Sequence, residues 1–534
     1  MKFQYITNNI TRVMSVFMVL TATISCEELV DESPISEIDP ENFFRSNNDA
    51  LAAVIGIYDA MQPAFRVKHY LWGEFRGDSY INGNDGANAN NIELTTNDVT
   101  SGNSPALRWN DFYEMVNRAN EAVVNIPLID GFDPGLLAEA QALRSYAYFQ
   151  AVRVWGSVPM FKEPTRTPND LQKPRTDAQT ILNEIVIPDM LAAASNMPIN
   201  NIADPYRFSL TSIWALQADV YGFLGDDENA KAALLKIVNS NRFQLTTSAE
   251  AWQNLFLNDN GDPFDVNSES DGPMKVQEGP ELIMSLRFSL DESQGSGNAN
   301  RSGVFSLFFA GIPSFTLSPA LETKWREKFP IDSLGWVTKY PDTDPVLTRI
   351  VPFTDENGEQ QDSLAPVYGD FRYYLSRENF TNLESKGLGN ARLAKYNKFN
   401  YNVSLDDTDI VLFRYAHIIL YLAEIENRLG NSAESLSLIN QFRTARQLPL
   451  VDETEFGGTQ EEREIFILDE RHLELIGEAQ RWWDLRRTNR AIEILNPILD
   501  TLSGGAPLTQ ERLLFPIFDE HIVENPLLEQ TPGY

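Results

Sequence analysis

Two helical hairpins hinged on glycine restrict this chain to a largely helical body. In residues 209–224, Ile213, Leu216, Val220 and Leu224 recur at three- and four-residue steps, the spacing of one buried helix face. Gly225-Asp226-Asp227 interrupts that stripe, and Ala230, Ala233, Leu234, Ile237 and Val238 begin a second one. The interval from Tyr221 to Gly225 and Ala230 is that of a tetratricopeptide hairpin, where small residues let two helices approach closely. A second copy places Leu412, Tyr415, Ile419, Leu422 and Leu429 before Gly430, then Ala433, Leu436 and Ile439. Further helices are predicted over 47–62, 107–126, 135–155, 177–195 and 460–487. The repeats are too irregular for an open solenoid, so the predicted fold is mostly α, a compact helical body.

Two stretches break the helical pattern. Residues 73–106 are rich in Asn, Gly, Asp and Thr, and residues 257–404 mix Gly, Pro and aromatics with short apolar runs at 281–288 and 303–309. Long irregular segments inside a compact protein are often functional. The expected division is an N-terminal helical part over 41–256, an irregular loop and short-strand ligand-binding region over 257–404, and a C-terminal helical part over 405–534.

The amino terminus reads as an export signal. Lys2 and Arg12 precede an apolar run over 13–24, then Ser25 and Cys26, the only cysteine in the chain. That run is shorter than the roughly 18 residues a membrane span needs. A cysteine at the first mature position takes a diacylglycerol thioether, so residues 1–25 are expected to be a lipoprotein signal peptide and Cys26 the lipid attachment. The alternative is an ordinary signal peptide followed by an idle cysteine. Residues 26–40, with Glu27, Glu28, Asp31 and Glu32, form an acidic tether. Contact with the membrane is expected through the lipid alone.

The formal net charge is −33, and removal of Lys2 and Arg12 with the signal lowers it by two. Such a chain lacks the basic excess that displaces counterions from nucleic acid. It also disfavours polyanionic ligands, although a small basic site would override the global charge. A single cysteine forms neither an internal disulfide framework nor a thiolate metal site.

Aromatic rings outside regular helices offer flat apolar faces to a ligand, and planar polar side chains beside them supply hydrogen-bond partners. Trp109, Trp155, Trp214, Trp252, Trp482 and Trp483 fall on predicted helices and read as core. Trp72, Trp325 and Trp336 fall in irregular segments and are the candidate platform. Arg76, Asp78, Tyr80, Asn82, Asn84 and Asp85 follow the first, and Lys324, Arg326, Lys339 and Tyr340 surround the other two. Phe305, Phe308, Phe309 and Phe315 read as core or as contacts to a partner. Glu470, Glu474 and Glu478 share one predicted helix face, but with Arg481, Arg486 and Arg487 close by they read as an ion-pair network rather than a glycosidase pair. His69, His417, His472 and His521 show no metal spacing. Asp259, Asp262, Asp265 and Asn267 suit either Ca²⁺ or a solvated loop, without EF-hand spacing. No cofactor is expected.

Several blocks, in order, resemble the SusD/RagB-like outer-membrane lipoproteins of Bacteroidota. Residues 138–149 (AEAQALRSYAYF) followed by 155–159 (WGSVP) are similar to the family's N-terminal helix signature. Phe413-Arg414-Tyr415-Ala416, Ala423-Glu424 and Asn440-Gln441-Phe442-Arg443 resemble its later helix pair. Residues 470–475 (ERHLEL) and 481–487 (RWWDLRR) resemble its C-terminal helix, and Leu514-Phe515-Pro516-Ile517, Asn525-Pro526 and 530–534 (QTPGY) its ending. His417, Gly477 and Thr531 depart from the usual pattern.

The resemblance implies tetratricopeptide-like pairs beside an irregular binding region. It implies a lipid-anchored, surface-exposed place at the outer membrane and partnership with a SusC-like TonB-dependent transporter, over which the protein acts as a lid. The expected ligand is a neutral oligosaccharide such as a glucan. Within the family a RagB-like peptide carrier is the alternative, and a glycoside hydrolase is the alternative from another class.

Overall fold

The computed structural model describes residues 43–82, 88–256, 277–289, 301–309, 314–345, 347–379, 391–396, 404 and 406–534. Cys26, Asn84, Asp85 and the acidic loop with Asp259, Asp262, Asp265 and Asn267 lie outside the described residues.

Helix α1 (Asn47–Gly73) begins at Ser46, whose hydroxyl accepts the Asp49 N–H, and continues past the predicted end at 62. Pro63 inside it removes one hydrogen bond and crowds the preceding turn, at a cost of about 3 kcal/mol. Burial of Ala64, Phe65, Tyr70, Leu71 and Trp72 offsets that cost, at roughly 1.5–3 kcal/mol for each large side chain. α2 (Asn110–Asn125) and α3 (Pro134–Trp155) pack against α1. Buried Ala138, Ala142, Ala147 and Ala151 let neighbouring backbones come close to α3. The helix predicted over 177–195 loosens into a π-turn at Leu182–Val186 before α4 (Ile187–Asn196). Pro188 lacks the N–H that the Glu184 carbonyl would otherwise accept.

The first hairpin forms as predicted, from α5 (Leu210–Leu224) and α6 (Asp227–Asn239). Gly225 adopts φ +75°, and the Asp226 N–H returns to the Tyr221 carbonyl at 2.9 Å, closing α5. Three tryptophans expected in irregular chain sit on helices instead, Trp72 on α1, Trp325 on α7 (Pro319–Lys328) and Trp336 on α8 (Ser333–Lys339). The second hairpin joins α9 (Tyr415–Arg428) and α10 (Ser432–Ala445) through Gly430 at φ +83°. Leu412 precedes it on a strand, because Ile410-Val411-Leu412-Phe413 is a continuous β-branched and apolar run that is wholly buried. The helix predicted over 460–487 is broken in two, α11 (Gln460–Glu474) and α12 (Arg481–Arg487). Gly477 and Ala479 between them take left-handed φ of +74° and +56°. Glu478 therefore does not share a helix face with Glu470 and Glu474.

The strands form antiparallel pairs. β1 (Tyr80–Asn82) meets β3 (Phe315–Leu317), β2 (Leu282–Leu286) meets β8 (Ile410–Arg414), β4 (Leu347–Thr354) meets β5 (Gln360–Val367), and β6 (Arg377–Asn379) meets β7 (Ala391–Leu393). The described part of 257–404 is thus more regular than its composition suggests.

A charge-balanced ion lattice lies at the centre. Fully buried Arg372, Arg414, Arg446 and Lys395 face Asp370, Glu281, Glu474 and Glu478. Glu474 accepts from Arg414 at 2.6 Å, and from Arg446 and Arg372 at 2.7 Å each, with the Trp252 indole N–H at 3.2 Å. Burial opposes its ionisation, but those three guanidiniums outweigh it and hold the carboxyl well below the usual range. Glu470 is paired separately with Arg443 and Lys328, at 2.7 and 2.8 Å. The partners of these carboxylates come from distant segments, not from the arginines of α12.

Candidate functional site

The predicted sugar platform does not assemble. Trp72, Trp325 and Trp336 are only 1, 1 and 2% exposed, and each indole N–H is spent inside the protein. Trp72 donates to the Ala106 carbonyl at 2.7 Å, Trp325 to Asp370 Oδ2 at 2.9 Å and Trp336 to the Thr343 carbonyl at 2.8 Å. A stacking platform needs an open ring face, which none of them has. Arg76 is buried against the Trp482 and Phe515 rings, and Asp78 is locked by the Arg481 guanidinium at 2.6 and 3.0 Å. Tyr80 is buried, and half-buried Asn82 accepts the Thr95 hydroxyl at 2.5 Å. The Tyr340 hydroxyl donates to the Lys328 carbonyl at 2.7 Å. Phe308 and Phe315 are core, the latter stacked on Phe75. Trp214, predicted as core, is half-buried and lines a shallow groove of about 430 Å³ on the α5–α6 hairpin.

A cleft opens elsewhere, bordered by aromatics that are themselves mostly buried, with Trp109 at 7% and Phe161 at 5% exposed and Tyr113 half-buried. This cleft of about 550 Å³ lies between the start of α2, the segment 159–172 and the C-terminal helix Asp519–Glu524 with the residues after it. Trp109, Tyr113, Phe161 and Leu171 supply its apolar walls, and Asn110, Asn117, Gln172, Glu114, Glu524 and Asn525 its polar ones. Gly156 initiates the turn after α3 at φ +72°, where a Cβ would lie 2.8 Å from Leu514 Cδ1. The wall that follows is fixed by side chains of α2 and α3. The Tyr148 hydroxyl donates to the Phe161 carbonyl at 3.0 Å and accepts its N–H at 2.7 Å. Tyr113 donates to the Pro159 carbonyl at 2.8 Å, and Asn117 accepts the Thr165 N–H and hydroxyl at 2.8 and 2.9 Å.

His521 stacks on Trp109 with ring centroids 4.8 Å apart. Its Nε2 accepts the Trp109 N–H at 3.1 Å, so the neutral ring carries its proton on Nδ1, which faces Glu524 Oε2 at 3.5 Å. Burial lowers the affinity of this imidazole for a second proton, and Glu524 offsets part of that effect. Exposed Asn110 and Gln172 make no side-chain hydrogen bond among the described residues. The cleft thus combines apolar faces, free amides and carboxylates at its mouth, a set suited to an uncharged polyhydroxylated ligand. Trp109 is core, as its place on a predicted helix implied, and sequence reading missed that it also borders the cleft. The four-residue step from Tyr113 to Asn117, beside Asn110 and Glu114 on one face of α2, was the available signal.

Among the described residues no group of histidines and carboxylates is placed to hold a metal ion, and no helix is long and apolar enough to cross a membrane.

The whole chain has known counterparts. A family profile described as "SusD family" matches residues 229–534, and one described as "Starch-binding associating with outer membrane" matches residues 30–221. "SusD-like protein P38" of Formosa agariphila is 40% identical, over 98% of this chain and 99% of its own length. "SusD-like protein P2" of the same organism is 24% identical over 97% and 99%. A crystal structure of a SusD superfamily protein from Bacteroides thetaiotaomicron covers 92% of this chain and 99% of its own at 19% identity, with a TM-score of 0.65. A structure described as "Laminarin binding SusD-like protein" covers 92% and 100% at 20% identity, with a TM-score of 0.64. With a profile over more than half of its length and a relative at 40% identity end to end, the chain belongs to the SusD family.

Proposed function

We propose that this protein captures a neutral oligosaccharide at the outer-membrane surface, in the cleft walled by Trp109, Tyr113 and Phe161, and delivers it to a SusC-like TonB-dependent transporter. The observation that carries this reading is the pairing of apolar walls with free amides at Asn110 and Gln172. Glu524 at the mouth disfavours anionic sugars by like-charge repulsion, while Glu114 is paired with Arg118 at 2.6 Å. Family membership and the laminarin-binding neighbour are in keeping with a carbohydrate ligand. A lipid on Cys26 would hold the protein at the membrane without fixing its working surface.

The mechanism is capture and release without bond cleavage. Support comes from Glu470, Glu474 and Glu478, which are buried and committed to cations and so face no cleft where a glycosidic oxygen would meet them. Calorimetry with a panel of neutral gluco-oligosaccharides tests capture; silence across the panel would refute it. Co-purification of a barrel with the tagged, membrane-anchored protein tests the partnership, and recovery without any barrel would count against it.

A further inference from the structure

The cavity of about 540 Å³ between α3, α5 and α12 carries a positive excess within a chain whose net charge is −33. Arg428 and Arg487 on its wall are already compensated. Arg428 pairs with Asp227 at 2.9 Å and with Glu424, and Arg487 pairs with Glu424 at 2.7 Å and Asp484 at 2.8 Å. Glu464 is taken by Arg490 at 3.0 Å. That leaves Arg153 and Arg486, and the remaining carboxylate on the wall, Asp219, is 3.8 Å from Arg153.

Arg153 has only this one long ion pair, and Arg486 has none among the described residues. Arg153 is nine-tenths buried, held between the Phe149 and Trp483 rings at 4.5 and 4.6 Å, and its buried Nε has no partner. Arg486 donates to the Arg153 carbonyl and has no carboxylate within 4.0 Å among the described residues. Arg76, on the other side of Trp482, donates to Asn97 and two carbonyls and has no carboxylate partner among the described residues. Burial and the repulsion of Arg76 and Arg153 bring the Arg486 guanidinium down to about 9. Guanidiniums with donors left over and held in place by stacking are pre-organised for a carboxylate or sulfate, whose oxygens match the fork of N–H donors.

We propose that this cavity is an oxyanion-binding site, separate from the oligosaccharide cleft, that takes the carboxylate or sulfate group of a small ligand across Arg153 and Arg486. The shared chemistry is the oxyanion, whether free or carried on a sugar acid. The site does not depend on the cleft being a glycan site.

Isothermal titration calorimetry on the full chain at constant ionic strength tests this with sodium sulfate, sodium glucuronate and, as the uncharged control, glucose. At least one anion should bind saturably with one site per chain while glucose does not. Equal affinity for both anions would assign a free oxyanion, and a preference for glucuronate a sugar acid. Arg486→Gln should weaken binding at least tenfold, and Arg486→Lys should recover part of it. Asp219→Asn, which keeps shape and removes the competing carboxylate, should tighten binding several-fold. No saturable heat with either anion would overturn the proposal, as would unchanged affinity in folded Arg486→Gln or weaker binding in folded Asp219→Asn. Neutral oligosaccharide binding at the cleft should be untouched by Arg486→Gln, so failure of one site is distinguishable from failure of the other.

Discussion

Arg414 Nη1 lies 2.6 Å from Glu474 Oε1, tying the end of β8 to the last residue of α11 inside the core. The same guanidinium reaches Glu281 at 3.0 Å and Glu478 at 2.6 Å, so segments far apart in sequence meet on one side chain. Removing one partner of a buried lattice leaves charges without compensation, which costs about 3–5 kcal/mol. Glu474→Gln is therefore expected to lower stability by that amount, read as a shift of the urea unfolding midpoint. An unfolding free energy within about 0.5 kcal/mol of the parent's, the scatter of neutral surface changes, would show that the lattice contributes little.

Glu74 gives a pH dependence of opposite sign to that of the lattice. Burial pushes its carboxyl up to about 8, the Gly477 N–H donates to Oε1 at 3.1 Å, and Oε2 has no partner. The folded state therefore keeps a proton that the unfolded chain loses near 4.5. This group's contribution to stability is full below about 4.5, declines as pH rises through the window from 4.5 to 8, and is constant above it. Glu74→Gln mimics the protonated form and should flatten that decline. Parallel stability–pH curves for the two proteins would contradict the assignment.

Glu470 acts in the other direction. Its guanidinium and ammonium partners overcome burial and bring it down to about 2. The stability it contributes is present above about 4.5 and is lost as pH falls toward 2. Glu470→Gln should lower stability at pH 7 and lose less on acidification than the parent does. An unchanged acid limb in the variant would contradict this.

Trp72, Trp325 and Trp336 should behave as core residues. Alanine at any of them is expected to cost about 3–5 kcal/mol of stability. Oligosaccharide affinity of the folded fraction should stay unchanged, as read by calorimetry at a temperature where each variant is native. Loss of affinity at full stability would return these residues to the binding site.

Gly222 marks the closest approach between the hairpins. A Cβ there would lie 1.6 Å from the Tyr421 hydroxyl oxygen. Gly222→Ala should destabilise by about 1–3 kcal/mol through overpacking. Tyr421→Phe in the same chain should restore part of that loss, measured by thermal melting of the single and double variants, and strict additivity would exclude the clash as its cause.

The helix pairs were legible because the 3.6-residue period of Ile213, Leu216 and Val220, and of Ile419 and Leu422, is written locally. Trp72 was misplaced because Pro63 hides the second half of α1, and Trp325 and Trp336 because their helices are too short to show a period. The broken helix at 475–480 depended on left-handed Gly477 and Ala479, where the Gly477 Cα approaches Leu393 so closely that a Cβ would sit 2.5 Å from its Cδ2. Neither the cleft nor the lattice is a local pattern. Trp109, Phe161, Gln172 and Asn525 meet only after folding, as do Glu281, Arg372, Arg414 and Glu474. The carboxylate reading survived because burial of several Glu beside Arg-rich segments demands pairing wherever the partners come from.

The central claim is that the cleft holds a neutral oligosaccharide, and calorimetry on the Asn110→Ala/Gln172→Ala variant tests it most directly. Both side chains are exposed and make no hydrogen bond among the described residues, so folding should be unaffected. Loss of two hydrogen bonds at roughly 0.5–1.5 kcal/mol each should weaken binding by about fivefold or more relative to the parent. An oligosaccharide that binds the parent saturably and the double variant with the same affinity would contradict this account of the site.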